Sequence, residues 1–197
     1  MLELKSISKK FLSNIFKDFS YKFDSNIYFL RGCNGSGKST LLKLIKGIYL
    51  CDSGEIYFDH KLNNTNDVVY IDGNFRTFFH RLTVFQNLEY FLSLSDLDNN
   101  SKILDDLLVY FGISDIRNQR FSSLSQGQMQ LVSLIRGLSS DPKVILLDEV
   151  FSSLDSKHKK KAFIYISKFI SNENGLVIFT SHEADFDDLI YKELCLS

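Results

Sequence analysis

The chain has 197 residues, enough for one domain with a sizeable core, and its 44% hydrophobic and 24% charged content excludes a disordered or fibrous protein. Its net charge of -1 supplies no basic field, so nucleic acid is not expected as a partner. Three cysteines, Cys33, Cys51 and Cys195, have neither zinc-site nor disulfide-framework spacing and point to a reducing compartment.

Along the chain, Met1 to Ser6 lacks the pattern of a secretory signal, and no run approaches the roughly 18 apolar residues of a membrane span. Any membrane role must therefore pass through a partner. Ile27-Tyr28-Phe29-Leu30 is a short apolar run followed by Gly32, which predicts a buried strand. From Lys38 onward, Leu41, Leu42, Leu44, Ile45 and Ile48 recur at helical spacing, with Gly47 near the end. Residues 27–48 thus read strand, glycine loop, helix.

The loop itself, Gly32-Cys33-Asn34-Gly35-Ser36-Gly37-Lys38-Ser39, matches G-x-x-x-x-G-K-[ST]. Its glycines let backbone N–H groups turn toward phosphate oxygens, and the helix beyond presents its positive dipole end. In this pattern Asn34, Gly35, Ser36 and Gly37 cradle phosphate, Lys38 reaches the β- and γ-phosphates, Ser39 ligates Mg²⁺, and Thr40 follows on the helix. Lys38 is expected to be both a binding and a catalytic group.

The middle of the chain differs in texture. Thr83 to Leu94 and Lys102 to Phe111 have helical spacing, with a Ser-, Asp- and Asn-rich loop between Ser93 and Ser101. Next come Leu124-Ser125-Gln126-Gly127-Gln128, in which Ser125 and Gln128 form an S-x-x-Q capping box. The helix beyond carries Leu131, Val132, Leu134, Ile135 and Leu138 on its buried side. Such a helix start, with a free serine and a glycine, suits an anion.

A second apolar strand, Val144 to Leu147, runs into Asp148 and Glu149. An acid at the end of a buried strand is what a Mg²⁺-bound phosphate needs beside its glycine loop, so Asp148 is the expected metal ligand. Glu149 is placed to polarise an attacking water. Ser156 to Ile170 is helical and opens with the basic run Lys157 to Lys161, a solvated face or, as the alternative, a contact for anionic lipid or nucleic acid. Leu176 to Phe179 is a third buried strand. Short apolar strands alternating with helices imply a parallel sheet covered on both faces.

Leu124 to Gln128, lying between the glycine loop and Asp148, resembles the LSGGQ signature of the ABC ATPase family, with Gln126 at its third position. The resemblance covers nearly the whole chain. It implies an α/β P-loop NTPase core of RecA-like type with a mainly parallel sheet, an N-terminal antiparallel β region and an inserted α-helical subdomain. The implied organisation is one domain, 1–197, with residues 1–80 and 126–197 as the α/β core and 81–125 as the helical part. It also implies that Ser125, Gly127 and Gln128 contact ATP bound by an opposing subunit. Ser152 to Asp155 is similar to the loop that crosses such a dimer interface. His182, after Phe179-Thr180-Ser181, is similar to a switch histidine that contacts the γ-phosphate. Phe11 stands where the family places an adenine-stacking aromatic.

Two departures stand out. The family's glutamine after the strand Val68 to Ile71, a Mg²⁺ contact, is replaced by Asp72-Gly73-Asn74, and Val150 occupies a position usually held by proline. The resemblance implies an ATPase with ATP and Mg²⁺ as cofactors. It would act as a homodimer or a paired nucleotide-binding subunit, peripheral on the cytoplasmic face of the membrane under membrane-spanning permease subunits. Compactness leans toward export and is similar to that of short export ATPases, including those of cytochrome c maturation. The alternative is a non-transport ABC ATPase acting on DNA or the ribosome, although no heptad-bearing insertion and no second domain accompany the motifs. A plain P-loop kinase would lack the signature.

Overall fold

A computed structural model describes residues 2–58, 67–94, 101–182 and 190–196. The loop expected over Ser93 to Ser101 lies largely outside the described residues.

Two sheets form. The N-terminal one is antiparallel, in the order β2-β1-β4, from β1 (Leu2–Lys10), β2 (Asn14–Phe23) and β4 (Ser53–Phe58). The second has the order β5-β6-β7-β3-β8 and every pairing in it is parallel. Its strands are β3 (Ile27–Arg31), β5 (Val68–Asp72), β6 (Val144–Asp148), β7 (Leu176–Thr180) and β8 (Lys192–Cys195). The helices are α1 (Lys38–Lys46), α2 (Val84–Ser93), α3 (Lys102–Phe111), α4 (Gln126–Leu138) and α5 (Ser156–Glu173).

Strand pleating divides the side chains between two cores. Ile27, Phe29, Ile145, Leu147, Val177 and Phe179 face α2 to α5. Tyr28, Leu30, Val144, Leu146, Leu176 and Ile178 face α1 and the antiparallel sheet. The near-continuous apolar runs of the sequence follow from this two-sided burial. Leu41, Leu42, Leu44 and Ile45 of α1 are buried in the second core, each contributing about 1.5–3 kcal/mol of apolar transfer. The helix ends at Lys46, because Gly47 takes a left-handed conformation with φ of 80° and turns the chain out. Ile48, which continues the helical spacing in the sequence, therefore lies beyond the helix and is 52% exposed.

Helices α2 and α3 share the first core with the sheet through Val84, Leu88, Leu104, Leu107 and Phe111. A capping box at Thr83 and Gln86 starts α2. Within the basic run at the start of α5, Lys161 is not simply solvated. Its ammonium donates to Tyr110 O at 2.7 Å, at the carbonyl end of α3, where a cation is favoured. Among the described residues no helix is long and apolar enough to cross a membrane.

Candidate nucleotide site

The topology brings the C-terminal ends of β3, β5, β6 and β7 to one edge, and the loop Gly32 to Gly37 leaves β3 there to start α1. Helices α2, α4 and α5 are capped by the side chains of Thr83, Ser125 and Asp155, whereas α1, which starts at Gly37, has no side-chain cap, as is also true of α3. Its first N–H groups thus point, without intrahelical partners, into the space ahead of the helix. Gly37 has φ of 95°, and a Cβ there would stand 2.6 Å from Ile15 Cγ2 and 2.9 Å from Phe16 Cζ. A side chain at this position would displace the loop from the antiparallel sheet. Among the described residues, Ser36 Oγ is buried with no hydrogen-bond partner.

In front of this helix start lies a cavity of 330 Å³. Asn34, Gly35, Gly37, Lys38, Ser39 and Thr40 line it on one side, and Ile15, Glu149 and His182 close the others. Lys38 Nζ donates to Gly32 O at 2.7 Å and to Cys33 O at 3.1 Å, which holds the ammonium over the loop. Uncapped N–H groups, a fixed ammonium and a dipole end fit a polyphosphate.

Asp148 is buried and held by three hydroxyls. Ser39 Oγ donates to Oδ1 at 2.9 Å, Thr180 Oγ1 donates to Oδ1 at 2.8 Å, and Tyr70 donates to Oδ2 at 2.7 Å. Burial, and then the Asp148 carboxylate, push the Tyr70 phenol far above its ordinary range. Among the described residues no cluster of three or more His, Cys, Asp or Glu forms a metal cage. A hydroxyl and a carboxylate beside a phosphate cradle are instead the sparse oxygen set that suits Mg²⁺, which keeps waters and shares phosphate ligands. Ser39 and Asp148 therefore fit that ion.

Glu149 follows in a left-handed conformation with φ of 58°. This costs a non-glycine residue about 1–2 kcal/mol and is retained where surrounding bonds fix it. Here Glu149 N donates to Thr180 Oγ1 at 3.0 Å, and His182 N donates to Glu149 Oε2 at 3.1 Å. His182 Nε2 lies 3.6 Å from Glu149 Oε1. The turn aims the Glu149 carboxylate into the cavity rather than along the strand. Glu149, His182, Lys38 and Ser39 are thus gathered in one place.

The remaining sequence candidates are elsewhere. Ser125 and Gln128 complete the expected capping box at the start of α4, with Ser125 N donating to Gln128 Oε1 at 2.9 Å and Gln128 N to Ser125 Oγ at 3.3 Å. Neither they nor Gly127 line the cavity. Phe11 stands off as well: it is 50% exposed and edge-on to Tyr49 at 5.5 Å, and Ile15 is the apolar side chain at the cavity. Sequence reading missed Tyr70, Thr180 and Ile15. For the first two, a signal exists in hindsight: each is a hydroxyl at or near the end of an apolar strand flanking Asp148.

Known proteins resemble this chain in sequence and in fold. The sequence profile of the family described as "ABC transporter" matches residues 16–152. The chain is 34% identical over 163 residues to the cytochrome c biogenesis ATP-binding export protein CcmA of Rickettsia felis, covering 80% of each chain. Among solved structures, it is similar to the dimeric, post-hydrolysis ATP-binding cassette MJ0796 bound to ADP and Pi, with TM-score 0.80 and 23% identity over 93% of this chain and 88% of that one. It is also similar to cbiO1 of Clostridium perfringens, part of the ABC transporter complex cbiONQ, with TM-score 0.75 and 22% identity over 92% and 78% of the two chains.

Proposed function

The chain belongs to the ABC transporter family as an ATP-binding ATPase subunit, and on that premise we propose that ATP-driven head-to-tail dimerisation lets it power export through a membrane-spanning permease. The observation that carries this reading is the separation of two half-sites. The phosphate cradle lines a cavity with Glu149 and His182, while Ser125, Gly127 and Gln128 present a capped, solvent-facing helix start outside that cavity. A second copy turned head to tail would place its Ser125 and Gly127 over the phosphates held by the first.

In the closed pair, Lys38 and the α1 N-terminus stabilise negative charge on the transferred phosphoryl group, and Ser39 and Asp148 hold Mg²⁺. Mg²⁺ supplies neutralisation of the phosphate oxygens. Glu149 accepts a hydrogen bond from the attacking water, with His182 at the γ-phosphate side. Loss of the γ-phosphate removes the charge that joins the halves, and the pair opens. Export is supported by the relative whose name is an export protein. The helical part at residues 81–125 is the proposed docking region for the permease, and the cytoplasmic membrane face is the proposed location.

Light scattering of Glu149→Gln tests the shared site. This variant keeps the shape of the carboxylate but removes its charge, so ATP persists and the protein should be a dimer in ATP and a monomer in ADP. Adding Ser125→Arg should return it to monomer in ATP. A single variant that stays monomeric at high protein concentration would falsify the shared-site mechanism.

A further inference from the structure

We infer that Asp72 is a second carboxylate facing the divalent cation of this ATP site, across the β5–β6 ladder from Asp148. The inference rests on the reading of Ser39 and Asp148 as the Mg²⁺ site and adds a residue to it.

Asp72 is the last residue of β5, and its partner in the parallel register is Asp148, the last residue of β6. Registered partners in a parallel ladder project to the same face, and neighbouring strands are about 4.8 Å apart. The face is fixed by Tyr70, two residues before Asp72, whose hydroxyl reaches Asp148 Oδ2 at 2.7 Å. Ile71, between them, is buried in the opposite core. Asp72 therefore projects to the side that carries Ser39 and the phosphate cradle.

Two carboxylates side by side repel unless a cation lies against both. Asp72 has little else to compensate it. It accepts one backbone bond, from Asn74 N at 3.0 Å, and no salt bridge to it is found among the described residues. Arg136 attracts it only from a distance, because its guanidinium is tied to Thr77 Oγ1 at 2.8 Å and stacked over Phe78 and Phe91. The residues after Asp72 offer nothing in its place. Gly73 has no side chain, and Asn74 Oδ1 is taken by Arg76 N at 3.1 Å as the cap of a 3-10 turn. The end of β5 thus presents one half-exposed carboxylate toward the site, suited to a hard, oxygen-preferring cation. Without the cation, the extra negative charge opposes ATP; with it, nucleotide and metal binding become mutually dependent.

The test uses the full chain with Mn²⁺ as the probe, counting free Mn²⁺ by electron paramagnetic resonance in saturating ADP. Asp72→Asn keeps the acceptor for Asn74 N and removes the charge. It should raise the Mn²⁺ dissociation constant about 10- to 100-fold, while ADP affinity in EDTA is unchanged or tighter. Asp72→Ser should weaken Mn²⁺ likewise, and Asp72→Glu should stay within a few-fold of the parent. Mn²⁺ affinity in folded Asp72→Asn or Asp72→Ser within twofold of the parent overturns the inference. Failure of Asp148→Asn to weaken Mn²⁺, or absence of nucleotide-dependent Mn²⁺ binding in the parent, overturns instead the underlying assignment of the metal site, and the Asp72 role with it.

Discussion

Tyr70 on β5 donates its phenolic proton to Oδ2 of Asp148 on β6 at 2.7 Å, while Ser39 and Thr180 share Oδ1. One buried carboxylate is thus oriented by donors from β5, β7 and α1. The phenol stays protonated well into alkaline solution, because its ionisation is opposed first by burial and then by the Asp148 charge. Tyr70→Phe keeps the packing and leaves Oδ2 without its donor. A hydrogen bond to a charged group is worth about 1.5–3 kcal/mol, so urea unfolding should show that loss. A midpoint equal to the parent's would show that the bond does not hold Asp148.

Much of this site was legible in the sequence, and the limit lies in what pairing adds. The strand, loop and helix over residues 27–48 were readable because apolar periodicity changes there from continuous to helical and the glycines mark the turn. Asp148 and Glu149 were readable from the apolar run before them. Tyr70 and Thr180 were not, because their role depends on β5, β6 and β7 being neighbours although far apart in the chain. Ile15 was hidden for a similar reason: it reaches the cavity only through the antiparallel sheet, whose β1–β2 register shifts at several points. The αL turn at Glu149 carries no residue-type signal, since glutamate is not a residue that favours it.

Lys38 is nearly buried, and its ammonium donates to two loop carbonyls. Lys38→Ala should remove a charge-assisted phosphate contact worth about 1.5–3 kcal/mol, a loss of roughly 10- to 150-fold in ATP affinity. Calorimetric titration with ATP reads this directly. Unchanged affinity together with unchanged hydrolysis would remove the loop from the phosphate site.

Cys33 is an exposed thiol within the same loop, and its carbonyl accepts from Lys38 Nζ at 3.1 Å. Cys195 is exposed too, so the measurement belongs in a Cys51→Ser, Cys195→Ser background. Alkylation of Cys33 there should block ATP binding, because the adduct occupies the approach to the cradle, and saturating ATP should slow the alkylation. Mass spectrometry follows the adduct and a fluorescent ATP analogue follows binding. A fully alkylated protein that binds the analogue like the parent would show that the Cys33 side chain lies clear of the nucleotide.

Gly127 ties the start of α4 to the turn that follows Glu149. A Cβ at this position would lie 2.9 Å from Ser153 O, closer than side chains approach backbone, so Gly127→Ala must push α4 and the 150–153 turn apart. The move is a few tenths of an ångström, but it acts on two elements at once. Ser125, two residues earlier, is the proposed contact for the opposing subunit's ATP, and Glu149, one residue before the turn, is the proposed partner of the attacking water. A cradle built on β3 and α1 does not feel it. Gly127→Ala should therefore lower ATP-dependent association and hydrolysis by about tenfold or more, as small misplacements at reacting centres do, while monomer affinity for ATP stays within twofold. Gln126→Ala, at an exposed position beside it, adds no clash and should behave as the parent in both assays. Equal losses in the two variants would assign the effect to the stability of the helix start, and an ATP affinity that fell with the hydrolysis rate would show that the two half-sites are not separable in this chain.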